Sequence, residues 1–291
     1  MAVANFFWHG PALRLYERAC LSSFVRKGIK VHLHTFNASL SVPDGVRLVD
    51  ARTRAQENEV LSLTQGGKVG SIAAFTDLFR YRLFRDEPGW WFDTDVYCLA
   101  DASAFMELEA RSKGLLIGEE APGKLNGAVL FISRPDIAVE LEKRADAQGK
   151  NFDWGAIGPK LITDYAAEFP DLCTVLSPEK FYPVHFDDVA LLFRKEERDA
   201  CEARTRNAIC LHLWNEILSR SRIPPELMPC GGSYLHELFI ATGQPVDPLA
   251  SLDYGAFEQL TYAANISPAG RGAIRWVKRA GSAKRFLLRQ H

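Results

Sequence analysis

The sequence predicts an α/β fold, and three observations carry that expectation. Apolar runs with a period of two alternate with runs of helical period from residue 3 to residue 214, the pattern of a sheet with helices packed on it. The chain has 291 residues, 47% of them hydrophobic, enough to bury the core of one large α/β domain. The apolar run Trp90-Trp91-Phe92 then stops abruptly at Asp93-Thr94-Asp95. A buried strand ending that way sets two carboxylates at the carboxyl edge of the sheet, where open α/β sheets bind ligands.

The elements follow in order. Residues 3–8 read as a short apolar strand, broken by His9-Gly10-Pro11. Residues 13–25 read as a helix with Leu13, Tyr16, Cys20 and Phe24 on one face. Residues 30–36 alternate as a strand and Pro43-Asp44-Gly45 is a turn, after which the polar stretch to Leu63 has no firm pattern. Gly66-Gly67-Lys68-Val69-Gly70-Ser71 reads as a loop entering a helix over 72–84. It lacks the spacing of a Walker loop, though the helix N-terminus suits an anion. Residues 115–118 and 128–133 are two further strands, flanking Glu119-Glu120 and Asn126-Gly127. Residues 135–147 are a helix with proline in its first turn, 152–169 a helix interrupted at Gly158-Pro159, and 207–214 a late strand. With no internal repeat or linker, one domain is expected over 1–265, followed by a basic tail over 266–291.

Bulk properties exclude several classes. No run of about 18 apolar residues marks a membrane span, and no charged-then-apolar N-terminus marks a signal peptide. Six scattered cysteines without a Cys-x-x-Cys pair read as reduced core thiols of a cytoplasmic protein, not as a zinc site. The net charge of −1 hides an asymmetry: 271–291 carries seven Lys or Arg and no acid, which leaves the other 270 residues at −8. That tail also holds Ile274, Trp276, Phe286 and Leu287, a composition suited to a helix on an anionic membrane, each basic residue adding about 1 kcal/mol. A solvated basic helix packed on the domain has the same composition. Nucleic acid is not expected as a partner.

Four features carry chemistry. Asp77 and Arg80 stand at i, i+3 and share a helix face, as a surface ion pair or as a binding pair. Asp93 and Asp95 offer hard oxygen donors of the kind Mg²⁺ or Mn²⁺ shares with phosphates, although Asp is also common in plain strand-end turns. Asn126-Gly127 is either a simple turn or an amide and bare backbone that approach a ligand closely. His212, in His212-Leu213-Trp214-Asn215, is either a structural histidine or a nitrogen donor completing an oxygen-rich metal site.

These pieces resemble glycosyltransferase family 32, the group with a DxD-containing sugar-binding region that includes capsular and lipopolysaccharide sugar transferases. Its more distant relatives are the large clostridial glucosylating toxins. The resemblance rests on Phe7-Trp8-His9-Gly10, Thr76-Asp77-Leu78-Phe79-Arg80, Gly89-Trp90-Trp91-Phe92-Asp93-Thr94-Asp95-Val96, Gly158-Pro159 and His212-Leu213-Trp214-Asn215, in family order over about residues 3–216. It implies a GT-A-type nucleotide-sugar-binding fold: a mixed, mostly parallel central sheet flanked by helices, with a C-terminal helical extension. It implies a Mn²⁺- or Mg²⁺-dependent, retaining transfer of a hexose-type sugar from a UDP-sugar to a hydroxyl of a glycan or lipid-linked glycan, at the inner face of the cytoplasmic membrane. Carried over by position, Asp95 binds the metal and Asp93 the ribose or the metal. Asp77 and Arg80 hold the donor sugar and the diphosphate region, and Trp8 grips the base. His212 is the candidate third contact near metal and diphosphate, with Asn215 beside it and Asn126 on the donor. No residue is assignable as a covalent nucleophile, and a same-face reaction in which the leaving phosphate takes the acceptor proton needs none. Glu119, Glu120, Asn126 and Trp154, in the acceptor region, match no family motif.

Two rival readings exist. A haloacid-dehalogenase-like Mg²⁺ phosphohydrolase also places Asp-x-Asp after an apolar strand, and Lys160 with Asp187-Asp188 superficially supply its other parts. Val96-Tyr97 after the second Asp, and a motif some ninety residues from the start, argue against it. A non-catalytic sugar-nucleotide-binding scaffold is the other, but both acids and the histidine are in place.

Overall fold

The computed structural model of the chain describes residues 3–243 and 250–263, so the basic tail lies outside the described residues. Two compact units emerge: Met1–Pro183 with Thr205–His212, and Val184–Arg204 with Leu213–His291. In chain order the first unit carries β1 (Val3–Trp8), α1 (Leu15–Arg26), β2 (Lys30–Thr35), β3 (Val46–Asp50), α2 (Asn58–Ser62), β4 (Thr64–Gln65), β5 (Lys68–Val69), α3 (Ile72–Phe84), β6 (Gly89–Phe92) and β7 (Val96–Cys98). It continues with α4 (Ala102–Arg111), β8 (Leu115–Ala121), β9 (Lys124–Ile132), α5 (Pro135–Asp146), β10 (Asn151–Phe152), α6 (Pro159–Glu168), β11 (Cys173–Leu176) and α7 (Pro178–Phe181). After α8 (Arg198–Thr205) the chain adds β12 (Cys210–His212), then α9 (Asn215–Arg220), α10 (Tyr234–Ala241) and α11 (Tyr254–Ala263).

The central sheet has seven strands in the order β11-β8-β9-β6-β1-β2-β3. Only β9 runs against its neighbours; the pairs β1–β2, β1–β6, β2–β3 and β8–β11 are parallel. This is the mixed, mostly parallel sheet that the sequence predicts. The alternation of β6 divides its aromatic residues between the two faces. Trp90 and Phe92 stack at 5.7 Å on one face, where Phe24 of α1 and Phe105 of α4 meet them at 4.5 to 5.8 Å. Trp91 points to the other face, against Phe79 of α3. All three side chains are fully buried, and each stabilises the unit by about 2–3 kcal/mol. The six cysteines are buried, as expected of core thiols.

Several boundaries differ from the sequence reading. The stretch between Pro43 and Leu63 holds β3, a short 3₁₀ turn and α2, elements too short to show a period. The glycine-rich segment before α3 is a hairpin, β4–β5, extended by β10 into a three-stranded sheet. The segment 152–169 is not an interrupted helix: residues 153–158 are turns and α6 begins at Pro159, where proline needs no N–H. The late strand shrinks to β12, which pairs antiparallel with β7 in a sheet of its own. Asn126-Gly127 does not precede a strand but lies within β9.

Beyond residue 213 the described part of the second unit holds α9, α10 and α11, with a parallel bridge between Met228 and Ser251. Phe193 stacks on Phe257 at 5.0 Å, and Arg194 donates two hydrogen bonds to Glu258, at 2.8 and 3.1 Å. Trp214, in the left-handed region at φ 57°, packs its ring on Phe186 and donates its indole N–H to the Val184 carbonyl at 2.9 Å.

Candidate functional site

The site lies at the carboxyl edge of β6 in the first unit. Asp93 closes β6, its N–H donating to the Ala128 carbonyl at 2.8 Å, and its own carbonyl accepts from Val96 N–H at 3.0 Å to form the turn that delivers Asp95. Because β12 pairs with β7, with His212 opposite Val96, the imidazole arrives beside that turn. His212 Nε2 stands 3.3 Å from Asp95 Oδ1. Asp93, Asp95 and His212 each offer one donor atom, and these atoms lie within 4.8 Å of one another.

Desolvation raises the Asp93 carboxyl above its ordinary value; Arg80 pulls it back, while the Asp95 charge adds to the rise. For His212 burial acts downward, but the Asp95 charge and its hydrogen bond outweigh it and raise the imidazole. Two crowded carboxylates and an imidazole held in reach of one another match the donor set of a divalent cation such as Mn²⁺ or Mg²⁺. A proton on His212 and a cation at the same oxygens are alternatives, because a ligating imidazole must be neutral.

Asp77 and Arg80 form a buried pair behind this cluster. Arg80 Nη2 donates to Asp77 Oδ1 at 2.5 Å and lies 3.9 Å from Asp93 Oδ1, Nε donates to the Thr76 carbonyl at 3.2 Å, and Nη1 donates to the Gly127 carbonyl. The guanidinium also sits 5.2 Å from the centre of the Trp91 ring, whose indole N–H donates to Asp93 Oδ1 at 2.8 Å. Burial pushes the Asp77 carboxyl up to about 6 against the pull of Arg80. The pair is therefore no helix-surface ion pair. Gly158 has its α-carbon against the Asp77 carboxylate, and a β-carbon there would lie 2.6 Å from Cγ. Gly127 meets the guanidinium in the same way.

The β8–β9 pairing breaks at this edge. Ile117 pairs with Leu130, but Gly118 pairs with Asn126, so residues 127–129 drop out of the ladder. Their backbone groups find other partners, as buried groups must. The Gly127 carbonyl takes Arg80, the Ala128 carbonyl takes Asp93 N–H, and Val129 N–H donates to the Tyr182 hydroxyl at 3.3 Å. That hydroxyl donates in turn to the Asn126 carbonyl at 2.8 Å. A β-carbon on Gly118 would lie 2.8 Å from the Tyr182 ring, so the opening needs glycine on both strands. Tyr182 was not legible as a site residue: Phe181-Tyr182-Pro183 after a one-turn helix carries no motif.

At the end of β1, Arg14 lies over the Trp8 indole at 5.7 Å and is held by hydrogen bonds to the buried Glu17. The buried Trp8 Nε1 has no hydrogen-bond partner among the described residues. A cavity of about 280 Å³ in the same unit is lined by His9, Gly10, Pro11, Thr35, Phe36, Asn37 and Glu57. Asn126 Nδ2 donates to Glu120 Oε2 at 2.7 Å. The structure thus brings Asp77, Arg80, Asp93, Asp95, Asn126 and His212 to one edge, with Trp8 at the end of β1 in the same sheet. Asn215 opens α9 in the second unit.

Residues 148–228 match the alpha 1,4-glycosyltransferase conserved region. The chain is a glycosyltransferase. The matched stretch includes Gly158-Pro159 and His212-Leu213-Trp214-Asn215, two of the pieces on which the family 32 resemblance rests, and the family it describes is of that type. No curated protein compared with the transferase matches it. Solved structures similar to it include mouse xyloside xylosyltransferase 1, at 12% identity and a TM-score of 0.42, covering 72% of this chain and 96% of that one. The bifunctional glycosyltransferase WbbM is similar at 12% identity and a TM-score of 0.48, over 84% of this chain and 50% of that one. The glycosyltransferase GlyE of Streptococcus pneumoniae TIGR4 is similar at 12% identity and a TM-score of 0.45, over 91% of this chain and 64% of that one. No helix among the described residues of the transferase is long and apolar enough to cross a membrane.

Proposed function

We propose that this glycosyltransferase moves a hexose-type sugar from a UDP-sugar to a hydroxyl of a glycan or lipid-linked glycan, with a divalent cation and retention of anomeric configuration. The observation that carries this reading is the convergence of Asp93, Asp95 and His212 within 4.8 Å at the carboxyl edge of β6. Asp95 and His212 are the direct ligands of Mn²⁺ or Mg²⁺, with Asp93 turned to the metal or the ribose. The cation, when bound, supplies Lewis-acid stabilisation of the departing diphosphate. Asp77 takes hydroxyls of the donor sugar. Arg80, whose N–H groups are committed to Asp77, Gly127 and Thr76, holds both Asp77 and Asp93 in position and adds positive charge behind the diphosphate. The Trp8 face, backed by Arg14, stacks the base, and its indole N–H seeks an acceptor there. Asn126 orients the sugar from the opened β9.

In this reading the product linkage is α, and no protein nucleophile is needed. The transferase domain spans 1–265. The basic residues of 271–291 bring the cytoplasmic enzyme to the anionic inner face of a membrane, where a lipid-linked acceptor resides. The test is hydrolysis of a panel of UDP-sugars in the presence of manganese. Release of UDP from one or two donors, lost on chelation, supports the reading; equal inactivity on all donors, with no calorimetric binding of UDP and manganese, removes it.

A further inference from the structure

Glu120 has no role in the reading above, yet it stands at the same edge. β6 ends there, and because β9 runs antiparallel to β6, the β8–β9 hairpin tip rises beside Asp93. Glu120 sits in β8 just past the break in the ladder, where a second register shift falls between Glu119 and Ala121. Such irregularities re-aim side chains. Its half-buried carboxylate is tethered by one oxygen: Asn126 Nδ2 donates to Oε2 at 2.7 Å. Asn126 is itself fixed, because its Oδ1 accepts from Ala128 N–H at 2.8 Å, and the Ala128 carbonyl holds Asp93 N–H at 2.8 Å. Two residues thus connect the Asp93 backbone to the Glu120 carboxylate. Oε1 has no hydrogen-bond partner among the described residues. The negative charge of Glu120 also reaches His212 and Tyr182. A carboxylate oriented through one oxygen, with the other unengaged at the carboxyl edge of the sheet, is built to receive a hydroxyl.

We propose that Glu120 binds the incoming acceptor hydroxyl through Oε1 and takes its proton. This rests on the donor and metal reading above, and it moves the proton from the leaving phosphate to a protein carboxylate. As the acceptor oxygen forms its bond to the anomeric carbon, the bond from that carbon to the phosphate oxygen breaks and its electron pair leaves with UDP. The hydroxyl proton passes to Oε1, and the resulting carboxylic acid returns it to solvent after release. Asn126 is the positioning residue in this scheme.

The experiment uses the full chain, manganese and the UDP-sugar that it hydrolyses, with water as the acceptor. Glu120→Gln and Glu120→Ala should lose 10²-fold or more in the hydrolysis rate, the range of a positioned base, while calorimetric affinity for UDP and manganese stays within threefold. Sodium formate should restore Glu120→Ala at least tenfold and leave Glu120→Gln unchanged, whereas Glu107→Gln, on the exposed face of α4, should hydrolyse within twofold of the wild type. A Glu120→Ala rate above one third of wild type overturns the proposal. So does a loss that formate does not restore and that weakens UDP binding, since Glu120 would then only prop Asn126. A wild type that binds UDP and manganese but hydrolyses no donor also overturns it, because the same carboxylate would activate water. A wild type that does neither removes the donor reading itself.

Discussion

Gly158→Ala tests whether the buried Asp77–Arg80 pair is as tightly enclosed as the structure has it. The new methyl group would lie 2.6 Å from Asp77 Cγ and 2.7 Å from Oδ1, about 1 Å inside normal contact. The obstacle is not a flexible chain end, because Oδ1 is bonded to Arg80 at 2.5 Å and Arg80 is fixed by Thr76 and Gly127. Either α6 retreats, or the carboxylate turns and leaves a buried guanidinium with its partner lost. Overpacking costs about 1–3 kcal/mol, and breaking a buried ion pair about 3–5 kcal/mol. The chain takes the less costly route, so about 1–3 kcal/mol is expected, which lowers Tm by roughly 3–9 °C in a protein of this size. The assay is thermal unfolding followed by circular dichroism, with Gly231→Ala as the comparison. Gly231 has no heavy atom within 4 Å of its would-be β-carbon, and that variant should melt within about 1 °C of wild type. If Gly158→Ala melts within 2 °C of wild type, the close packing of α6 on Asp77 is wrong.

Other expectations follow from the same geometry. Asp95→Asn should lower manganese-dependent donor hydrolysis at least about 100-fold, roughly 3 kcal/mol in the barrier, with an unchanged circular dichroism spectrum; full activity would dismiss Asp95 as a ligand. Because His212 is raised by Asp95 and must lose its proton to ligate, the proton competes most at low pH. Manganese affinity, measured calorimetrically at pH 6 and pH 8, should therefore be tighter at pH 8, and an affinity that is flat or falls would contradict this ligand set. Tyr182→Phe should cost about 2 kcal/mol in urea unfolding, since it strips a partner from the buried Val129 N–H and from the Asn126 carbonyl; a change under 0.5 kcal/mol would mean the opened ladder is held by something else. Removal of 271–291 should reduce sedimentation with phosphatidylserine vesicles at low salt, and equal sedimentation would count against membrane docking.

What could be read in the sequence was what has a period. β1 and α3 appear at their observed bounds because each buries a regular face, and the abrupt change from Trp90-Trp91-Phe92 to Asp93 marks the sheet edge unmistakably. The convergence of Asp77, Arg80, Asp93, Asp95 and His212 was legible only through the family resemblance, since nothing local in His212-Leu213 says that β12 pairs with β7. The opening between β8 and β9 was not legible at all. Its partners, Arg80 and Tyr182, lie 47 and 56 residues from the backbone groups they satisfy, and two ordinary-looking glycines make room for them. Gly158 belonged to a recognised motif, yet its reason, a carboxylate pressed against its α-carbon, is visible only in three dimensions.

The most direct measurement is an anomalous scattering map from crystals soaked with uridine diphosphate and manganese. The account predicts a manganese peak bonded to Asp95 and His212, with diphosphate oxygens on its far side and the base beside Trp8. A manganese peak elsewhere on the molecule, with Asp93 and Asp95 untouched, would contradict it.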